Sequence, residues 1–450
     1  MKFKNYDLNL LRVNLDSRLI KPGEYFMPVK GEFTDGHKYI NSALKNGAKG
    51  VIEVDELYEI AQYKLKSINP IVIAITGSVG KSTTRDFIFS LISTQYRVAK
   101  GTLNTKLGLA TNIINNLKSA DKFFVAEAGM DRLGELTDTG KFLDPDIVVC
   151  TAIKTAHLEK LGSLDNIIKA KSELWRILKP NKTLVVNYDD QNIKTALIRF
   201  PPNNGVKIIK VNSKSHNSDK YSYAKILTLI NNNSDEKYKS IDEFPFQFIG
   251  DHNYFNALLA VAVARLVQIS NHNIVNGLKD LNTPKGRLRI ISGINDSIII
   301  DDTYNALPDS VCSALSATNK YYKSHKLKGR KIAILGGMLE LGSFENDAHK
   351  IVGDCVVYNH IDVLVVVKSL GKKILESKKL KNSDIKIYET NSIDETIKLL
   401  KETIHLTKDD IILVKASQGI RLEKVVKGVM KYPKTATKVL VRQDARWKPN

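Results

Sequence analysis

From residue 71 onward, short runs of β-branched and aliphatic residues alternate with longer stretches of helical period. The runs lie at 71–75, 123–126, 146–150 and 183–187, and a second series lies at 297–300, 331–335, 363–367 and 411–414. Continuously apolar strands separated by helices predict parallel sheets covered on both faces, so the pattern predicts two α/β domains in tandem. Between the two series, 253–267 is dense in Ala, Leu and Val and predicts a helix. The segment Asn282-Thr283-Pro284-Lys285-Gly286-Arg287 then breaks the pattern with Pro and Gly, which places a boundary there. The first 70 residues predict a smaller unit, with a turn entering a strand at 21–26 and a helix at 57–68. The expected domains are therefore 1–70, 71–284 and 285–450, and Asn231-Asn232-Asn233-Ser234 is expected at a loop tip.

Length and composition narrow the class. The chain has 450 residues, 43% hydrophobic and 26% charged, which excludes collagen-like, disordered and disulfide-scaffold proteins. Its 68 Lys+Arg against 48 Asp+Glu give +20, which invites a nucleic-acid reading. The basic residues are dispersed, however: residues 1–70 hold eleven basic and nine acidic side chains. Only the last thirty residues lean strongly, with nine basic against two acidic, and they lack the aromatic interleaving of a single-strand binder. The charge is read as a Lys-rich composition suited to anionic small substrates, with no nucleic-acid partner. Cys150, Cys312 and Cys355 are distant from one another and set in apolar runs, so they are expected to be reduced core thiols in a cytoplasmic protein. The N-terminal residues lack an apolar signal core and no run approaches eighteen apolar residues, so neither export nor a membrane span is expected.

The strongest chemical signal is Ile71-Val72-Ile73-Ala74-Ile75-Thr76-Gly77-Ser78-Val79-Gly80-Lys81-Ser82-Thr83-Thr84, a buried strand, then G-x-x-G-K-S, then a helix. Glycines let backbone N–H groups turn around phosphate oxygens and the helix N-terminus adds its dipole. Lys81 can reach terminal phosphates and the Ser82 hydroxyl can hold Mg²⁺. Ile75 stands where the usual phosphate loop has its first Gly, so this loop is a shortened variant. Glu127 closes the 123–126 run, where a carboxylate sits at the C-terminal edge of a parallel sheet and either binds a hard cation or is simply solvated. His157 follows the expected strand 147–153 by a few residues; taken alone it is a satisfied core or surface histidine or a ligand. Lys171, taken alone, is a solvated helix lysine.

The shortened loop resembles that of the Mur ligase superfamily, and further segments agree with the branch that adds D-alanyl-D-alanine. Gly101-Thr102-Leu103-Asn104-Thr105-Lys106-Leu107-Gly108 is similar to its G-N-L-N-N-x-x-G, Glu127-Ala128-Gly129-Met130 to E-M-G-M, and His157-Leu158-Glu159 with Ala170-Lys171-Ser172-Glu173 to H-L-E and A-K-x-E. Gly250-Asp251-His252-Asn253-Tyr254-Phe255-Asn256-Ala257 resembles G-x-H-N-x-x-N-A. Asp301-Asp302-Thr303-Tyr304-Asn305-Ala306-Leu307-Pro308-Asp309-Ser310 resembles D-D-S-Y-N-A-N-P-x-S, and residues 335–342 resemble L-G-D-M-x-E-L-G. Leu307 and Gly337 depart from these patterns, at positions that bear on substrate more than on chemistry.

The resemblance implies three domains, a small N-terminal α/β domain, a central P-loop ATPase domain with a mainly parallel sheet, and a C-terminal Rossmann-like domain. It implies a monomeric, cytoplasmic, ATP-dependent amide ligase joining D-Ala-D-Ala to UDP-N-acetylmuramoyl-tripeptide through an acyl phosphate. ATP would meet Gly77, Ser78, Gly80, Lys81, Ser82, Thr83, Asn256, Arg287, Asp302 and Tyr304. Two Mg²⁺ ions would be held by Ser82, Glu127, His157 and Lys171, the last as a carbamate. Asn104, Thr105 and Ser417 would contact the peptide substrates, and Asp16, Ser17 and Arg18 the uridine nucleotide, unless the last three form a plain turn. Two alternatives stay open: a Mur-type ligase adding another amino acid, and a P-loop ATPase acting on nucleic acid.

Overall fold

The apolar runs become the inner strands of two six-stranded sheets in the computed structural model, which describes residues 1–31, 34–154, 158–213, 226, 229, 231–232, 248–339, 341–444 and 447. The described chain forms two compact units. One comprises Met1–Thr155, Ser163–Glu243 and Asn256–Leu278, the other Ala156–Gly162, Phe244–Phe255 and Lys279–Asn450. The main division at Lys279 lies close to the Pro/Gly break, and a second falls within the helix Asp251–Leu266.

In the first unit, β1 (Lys2–Phe3) and β2 (Tyr6–Asp7) pair antiparallel, and β3 (Val13–Asn14), β4 (Tyr25–Phe26) and β5 (Gly50–Val51) form a small parallel sheet. These early residues join the main body directly. Val13 N–H donates to Asn115 Oδ1 (2.9 Å) and Asn115 Nδ2 donates to the Val13 carbonyl (2.7 Å). The main sheet contains β6 (Ile71–Thr76), β7 (Val98–Gly101), β8 (Phe123–Glu127), β9 (Ile147–Cys150), β10 (Thr183–Asn187) and β11 (Lys207–Val211), in the order β11-β10-β9-β6-β8-β7 and parallel throughout. Ile75 registers with Glu127 on one side of β6, and Thr76 with Cys150 on the other. The chain passes from β8 to β9 across β6, so the sheet direction reverses at the carboxyl end of β6, where open α/β sheets place their ligands.

The second unit has its own sheet of β12 (Arg289–Ser292), β13 (Ile298–Asp301), β14 (Lys331–Gly336), β15 (Val363–Val367), β16 (Lys386–Thr390) and β17 (Ile411–Lys415), in the order β12-β13-β17-β14-β15-β16. Only β12–β13 is antiparallel. Alternate strand residues supply two cores, Ile300, Ala333, Leu335, Leu364 and Leu413 on one face and Ile299, Ile334, Val365, Ile412 and Val414 on the other. Burial on both faces is why these strands read as unbroken apolar runs.

Two expectations need correction. Cys312 and Cys355 are not reduced thiols but form a disulfide, with Cα atoms 5.4 Å apart. The helices Pro308–Ser324 and Glu345–Tyr358 lie side by side on the second sheet, a juxtaposition that a separation of 43 residues conceals. Cys150 is free and buried, as expected. Asn231 and Asn232 are helical rather than at a loop tip, and Asn233 and Ser234 lie outside the described residues. Among the described residues no helix is long and apolar enough to cross a membrane.

Candidate active site

The loop after β6 is shaped by two glycines at positive φ, Gly77 (φ 144°) and Gly80 (φ 83°), the latter at the N-cap of the helix Lys81–Ser93. A Cβ on Gly77 would lie 2.1 Å from Thr151 Oγ1, which itself donates to the Val79 carbonyl (2.6 Å). A Cβ on Gly80 would lie 2.7 Å from Asn256 Oδ1. Ser78 pins the loop to the chain beyond β9, donating from Oγ to the Lys154 carbonyl (2.9 Å) and accepting from Lys154 N–H (3.0 Å). Thr83 is buried in the first turn of the helix. Gly77→Ala is therefore expected to cost at least about 2 kcal/mol of stability and to abolish ATP turnover, because the methyl has no space and the backbone leaves the range an L-residue favours. Thermal unfolding together with ATP-dependent phosphate release checks this.

Lys81 folds back over the loop, donating from Nζ to the carbonyls of Gly77 (2.8 Å) and Ser78 (3.3 Å). Ser82 Oγ donates to Glu127 Oε2 (2.7 Å), so two of the predicted metal ligands already touch. Arg85 Nη1 reaches the same oxygen at 3.5 Å. Glu127 ends β8 as the pattern predicts, but it is buried there rather than solvated. A buried carboxylate beside a hydroxyl is an all-oxygen donor pair, the chemistry a hard cation takes.

Lys171 corrects the solvated-lysine reading. The helix Leu164–Arg176 buries Ile167, Leu174 and Trp175, and Lys171 stands one turn from Ile167 on that same inward face, only 1% exposed. Its Nζ has no hydrogen-bond partner among the described residues. Burial, seconded by the positive charge of Lys81, pulls its pKa down to about 7, so near neutral pH much of the amine is uncharged. An orphaned buried amine near Lys81 and Glu127 fits a lysine converted to a carbamate. His157 lies outside the described residues. Among the described residues no three His, Cys, Asp or Glu side chains converge as a ready metal site.

Asn256 comes to the phosphate loop, accepting from Thr84 Oγ1 (3.1 Å). Asn104 packs on the strand-end segment after Glu127, its carbonyl accepting from Gly129 N–H (2.8 Å). Thr105 caps the helix Lys106–Asn116 through Gly108 N–H (3.1 Å). Asp16 accepts from Arg18 N–H (3.0 Å) and pairs with its guanidinium (2.8 Å), while the Ser17 carbonyl accepts from Asn46 Nδ2 (2.9 Å). Residues 16–18 thus form a closed turn.

In the second unit, the carboxyl ends of β13, β17 and β14 adjoin, and the loops after them interlock. Asp302 Oδ1 accepts from Leu288 N–H (3.1 Å), and Oδ2 pairs with buried Lys415 (2.7 Å), which also donates to the Asn305 carbonyl (2.8 Å). Burial lowers the pKa of Lys415. Arg287 stacks 4.0 Å from the ring centroid of Tyr304, whose ring is partly exposed. Ser417 Oγ accepts from Leu339 N–H (2.9 Å) and donates to the Ala306 carbonyl (3.3 Å). Buried His349 accepts from Met338 N–H through Nε2 (3.1 Å) and donates to the Glu345 carbonyl through Nδ1 (2.7 Å). Glu340 lies outside the described residues. Both departures from the family pattern have packing causes. A Cβ on Gly337 would meet Leu370 at 2.6 Å, and Leu307 packs against the apolar core.

Lys415, Arg85 and His349 escaped the sequence reading. Lys415 carried a signal, a single charge closing an apolar strand, the same one that marked Glu127. The other two had none.

Three Mur ligase domain models match the chain: the Mur ligase family catalytic domain at residues 11–78, the Mur ligase middle domain at 75–264 and the glutamate ligase domain at 286–418. A relative from Bacillus subtilis (strain 168), named UDP-N-acetylmuramoyl-tripeptide--D-alanyl-D-alanine ligase, is 29% identical over 94% of this chain and 93% of its own length. Among solved structures, MurF from Acinetobacter baumannii superposes with a TM-score of 0.76 at 24% identity, covering 92% of each chain. MurF ligase from Thermotoga maritima, in complex with ADP, gives 0.71 at 25% identity over 96% of this chain and 99% of that one.

Proposed function

The chain belongs to the Mur ligase family, in its D-alanyl-D-alanine-adding branch, and we infer from this that it is an ATP-dependent ligase joining D-Ala-D-Ala to UDP-N-acetylmuramoyl-tripeptide. The observation that carries the reading is end-to-end similarity to a ligase so named, laid over a phosphate loop whose Ser82 meets a buried strand-end carboxylate.

The terminal carboxylate of the tripeptide attacks the γ-phosphorus of ATP, ADP leaves, and an acyl phosphate forms. The amine of D-Ala-D-Ala then attacks the acyl carbon, phosphate leaves, and the amine gives up its proton. Loop N–H groups hold the phosphate oxygens, and Lys81 exchanges its loop carbonyls for the terminal phosphate, placing a positive charge where negative charge develops. Ser82 and Glu127 would hold one Mg²⁺; carbamylated Lys171 and His157 would hold a second. Bound Mg²⁺ supplies further charge neutralisation on the phosphoryl oxygens. The carbamate arises when the neutral amine of Lys171 attacks CO₂ and releases a proton, turning a buried would-be cation into an anion. Asn256, Arg287, Asp302 and Tyr304 contact the nucleotide in this reading, and Asn104, Thr105 and Ser417 the peptide substrates. The hydrogen bonds of Thr105 and Ser417 make them shapers of backbone as well. Asp16, Ser17 and Arg18 would meet the uridine nucleotide as a preformed turn. The protein works in the cytoplasm as a monomer, with no nucleic-acid partner.

Phosphate release is expected to require ATP, UDP-muramoyl-tripeptide and an amine together, with D-Ala-D-Ala the best of a panel of amines. Hydrolysis stimulated by nucleic acid in the absence of the peptide would overturn the reading.

A further inference from the structure

The basic C-terminal segment lies beyond the residues that the family's domains match, and the reaction above assigns it no work. Its residues nonetheless converge on the nucleotide loop of the second unit. Arg442 has a side chain only 5% exposed, yet it stands eight residues from the chain's end. Its Nη2 donates to the Thr303 carbonyl, and its Nη1 donates to the Tyr304 carbonyl (3.2 Å). Glu423, fully buried, accepts from the same Nη2 (3.2 Å), and its other oxygen accepts from Arg421 Nε (2.6 Å).

The backbone at Arg442 is left-handed (φ 54°), a conformation that a non-glycine residue keeps only where its surroundings hold it. The neighbouring residues are tied to the linker as well. Lys285 Nζ donates to the Thr437 carbonyl (2.7 Å), and Tyr304 N–H donates to the Gly286 carbonyl (3.1 Å). A Cβ on Gly286 would lie 3.0 Å from Tyr304 N and 3.2 Å from Val441 Cγ1, so linker, loop and tail are packed without slack.

We propose that the C-terminal segment 437–442 is a working part of the nucleotide site, in which Arg442 is a positioning residue that clamps the Thr303 and Tyr304 carbonyls and thereby sets the Arg287–Tyr304 stack. A planar guanidinium suits this task. It spans two successive carbonyls and a carboxylate at once, whereas a lysine ammonium is a single point of attachment on a flexible stem. Truncation of the fork releases Tyr304, and Arg287 loses the surface that holds its own guanidinium toward the nucleotide.

The proposal rests on the reading that Arg287, Asp302 and Tyr304 contact ATP, and the test separates the two. In the full-length enzyme, Arg442→Gln is expected to raise KM for ATP by about tenfold, the factor that one lost charge-assisted contact gives. KM for UDP-muramoyl-tripeptide and for D-Ala-D-Ala should stay within about twofold, because the two carbonyls that Arg442 holds both belong to the nucleotide loop. Arg442→Lys, which keeps the charge beside Glu423 and folds if any variant does, should fall between. A purely structural role would instead lower the unfolding temperature or the active fraction and leave every KM unchanged, and that result in both variants overturns the proposal. Tyr304→Ala then identifies what failed. If it raises KM for ATP, only the role of the tail is wrong; if it does not, the loop is not the nucleotide contact and the reading beneath the proposal falls with it.

Discussion

Lys81→Ala should lower turnover by at least about 10²-fold, the scale on which removal of one preorganised charge from a developing transition state acts. The fold should survive, because Gly77 and Gly80 shape the loop by their backbone, Ser78 and Thr151 pin it, and Lys81 adds two hydrogen bonds to loop carbonyls at its rim. Circular dichroism and thermal unfolding should therefore resemble wild type while phosphate release collapses. If the lysine acts only when charge builds up, kcat and kcat/KM fall together; a rise in KM with kcat retained would make it a ground-state anchor. Near-normal turnover would mean that this loop is not where ATP reacts.

Lys171→Ala should be of similar size for a different reason. The side chain occupies a position only 1% exposed, its Nζ is unpaired among the described residues, and burial holds its pKa at about 7. A buried ammonium that merely packed would be a poor use of an inward face; the neutral amine is what reacts with CO₂. If the carbamate helps hold Mg²⁺, the alanine variant loses an anion from a site crowded with phosphate, and activity should return in part with acetate or another small carboxylate. The pH dependence follows from the direction of the shift. Above about 7 the amine is neutral and takes up CO₂, whereas below it the ammonium dominates and cannot. Wild-type activity should thus fall on the acid side of that value and recover with added bicarbonate, and Lys171→Ala should show neither response. Unmodified protein should also gain stability as pH rises from about 7 toward the ordinary lysine value of about 10.5, since over that window the unfolded chain binds a proton that the folded one lacks. Full activity of Lys171→Ala at low and high bicarbonate alike would remove the carbamate from the account.

The eight runs marked by continuous apolar residues all became strands, and the four strands of the two six-stranded sheets that escaped, β7, β11, β12 and β16, are the edges of those sheets. An inner strand buries both faces and therefore reads as an unbroken run. An edge strand such as β16, Lys-Ile-Tyr-Glu-Thr, keeps one side in water and mixes charge with apolar residues, so it loses that signature. The phosphate loop was legible because glycine, lysine and serine at fixed spacing have one backbone use. Glu127 was legible from its place at a strand end. Lys171 was not, since charge in a sequence reads as exposure; only the helix face, with Ile167 and Leu174 beside it, reveals a lysine turned inward. The disulfide and the Arg442 clamp depend on residues 43 and more than 130 positions apart, contacts that no local pattern encodes.

The most direct measurement uses UDP-muramoyl-tripeptide carrying ¹⁸O in its terminal carboxylate, with ATP, Mg²⁺ and D-Ala-D-Ala, and follows both products by mass. An acyl phosphate route transfers one labelled oxygen to the phosphate released and forms one UDP-muramoyl-pentapeptide for each phosphate. Unlabelled phosphate appearing without pentapeptide would mean that the loop hydrolyses ATP with water, and the protein would not be the ligase described.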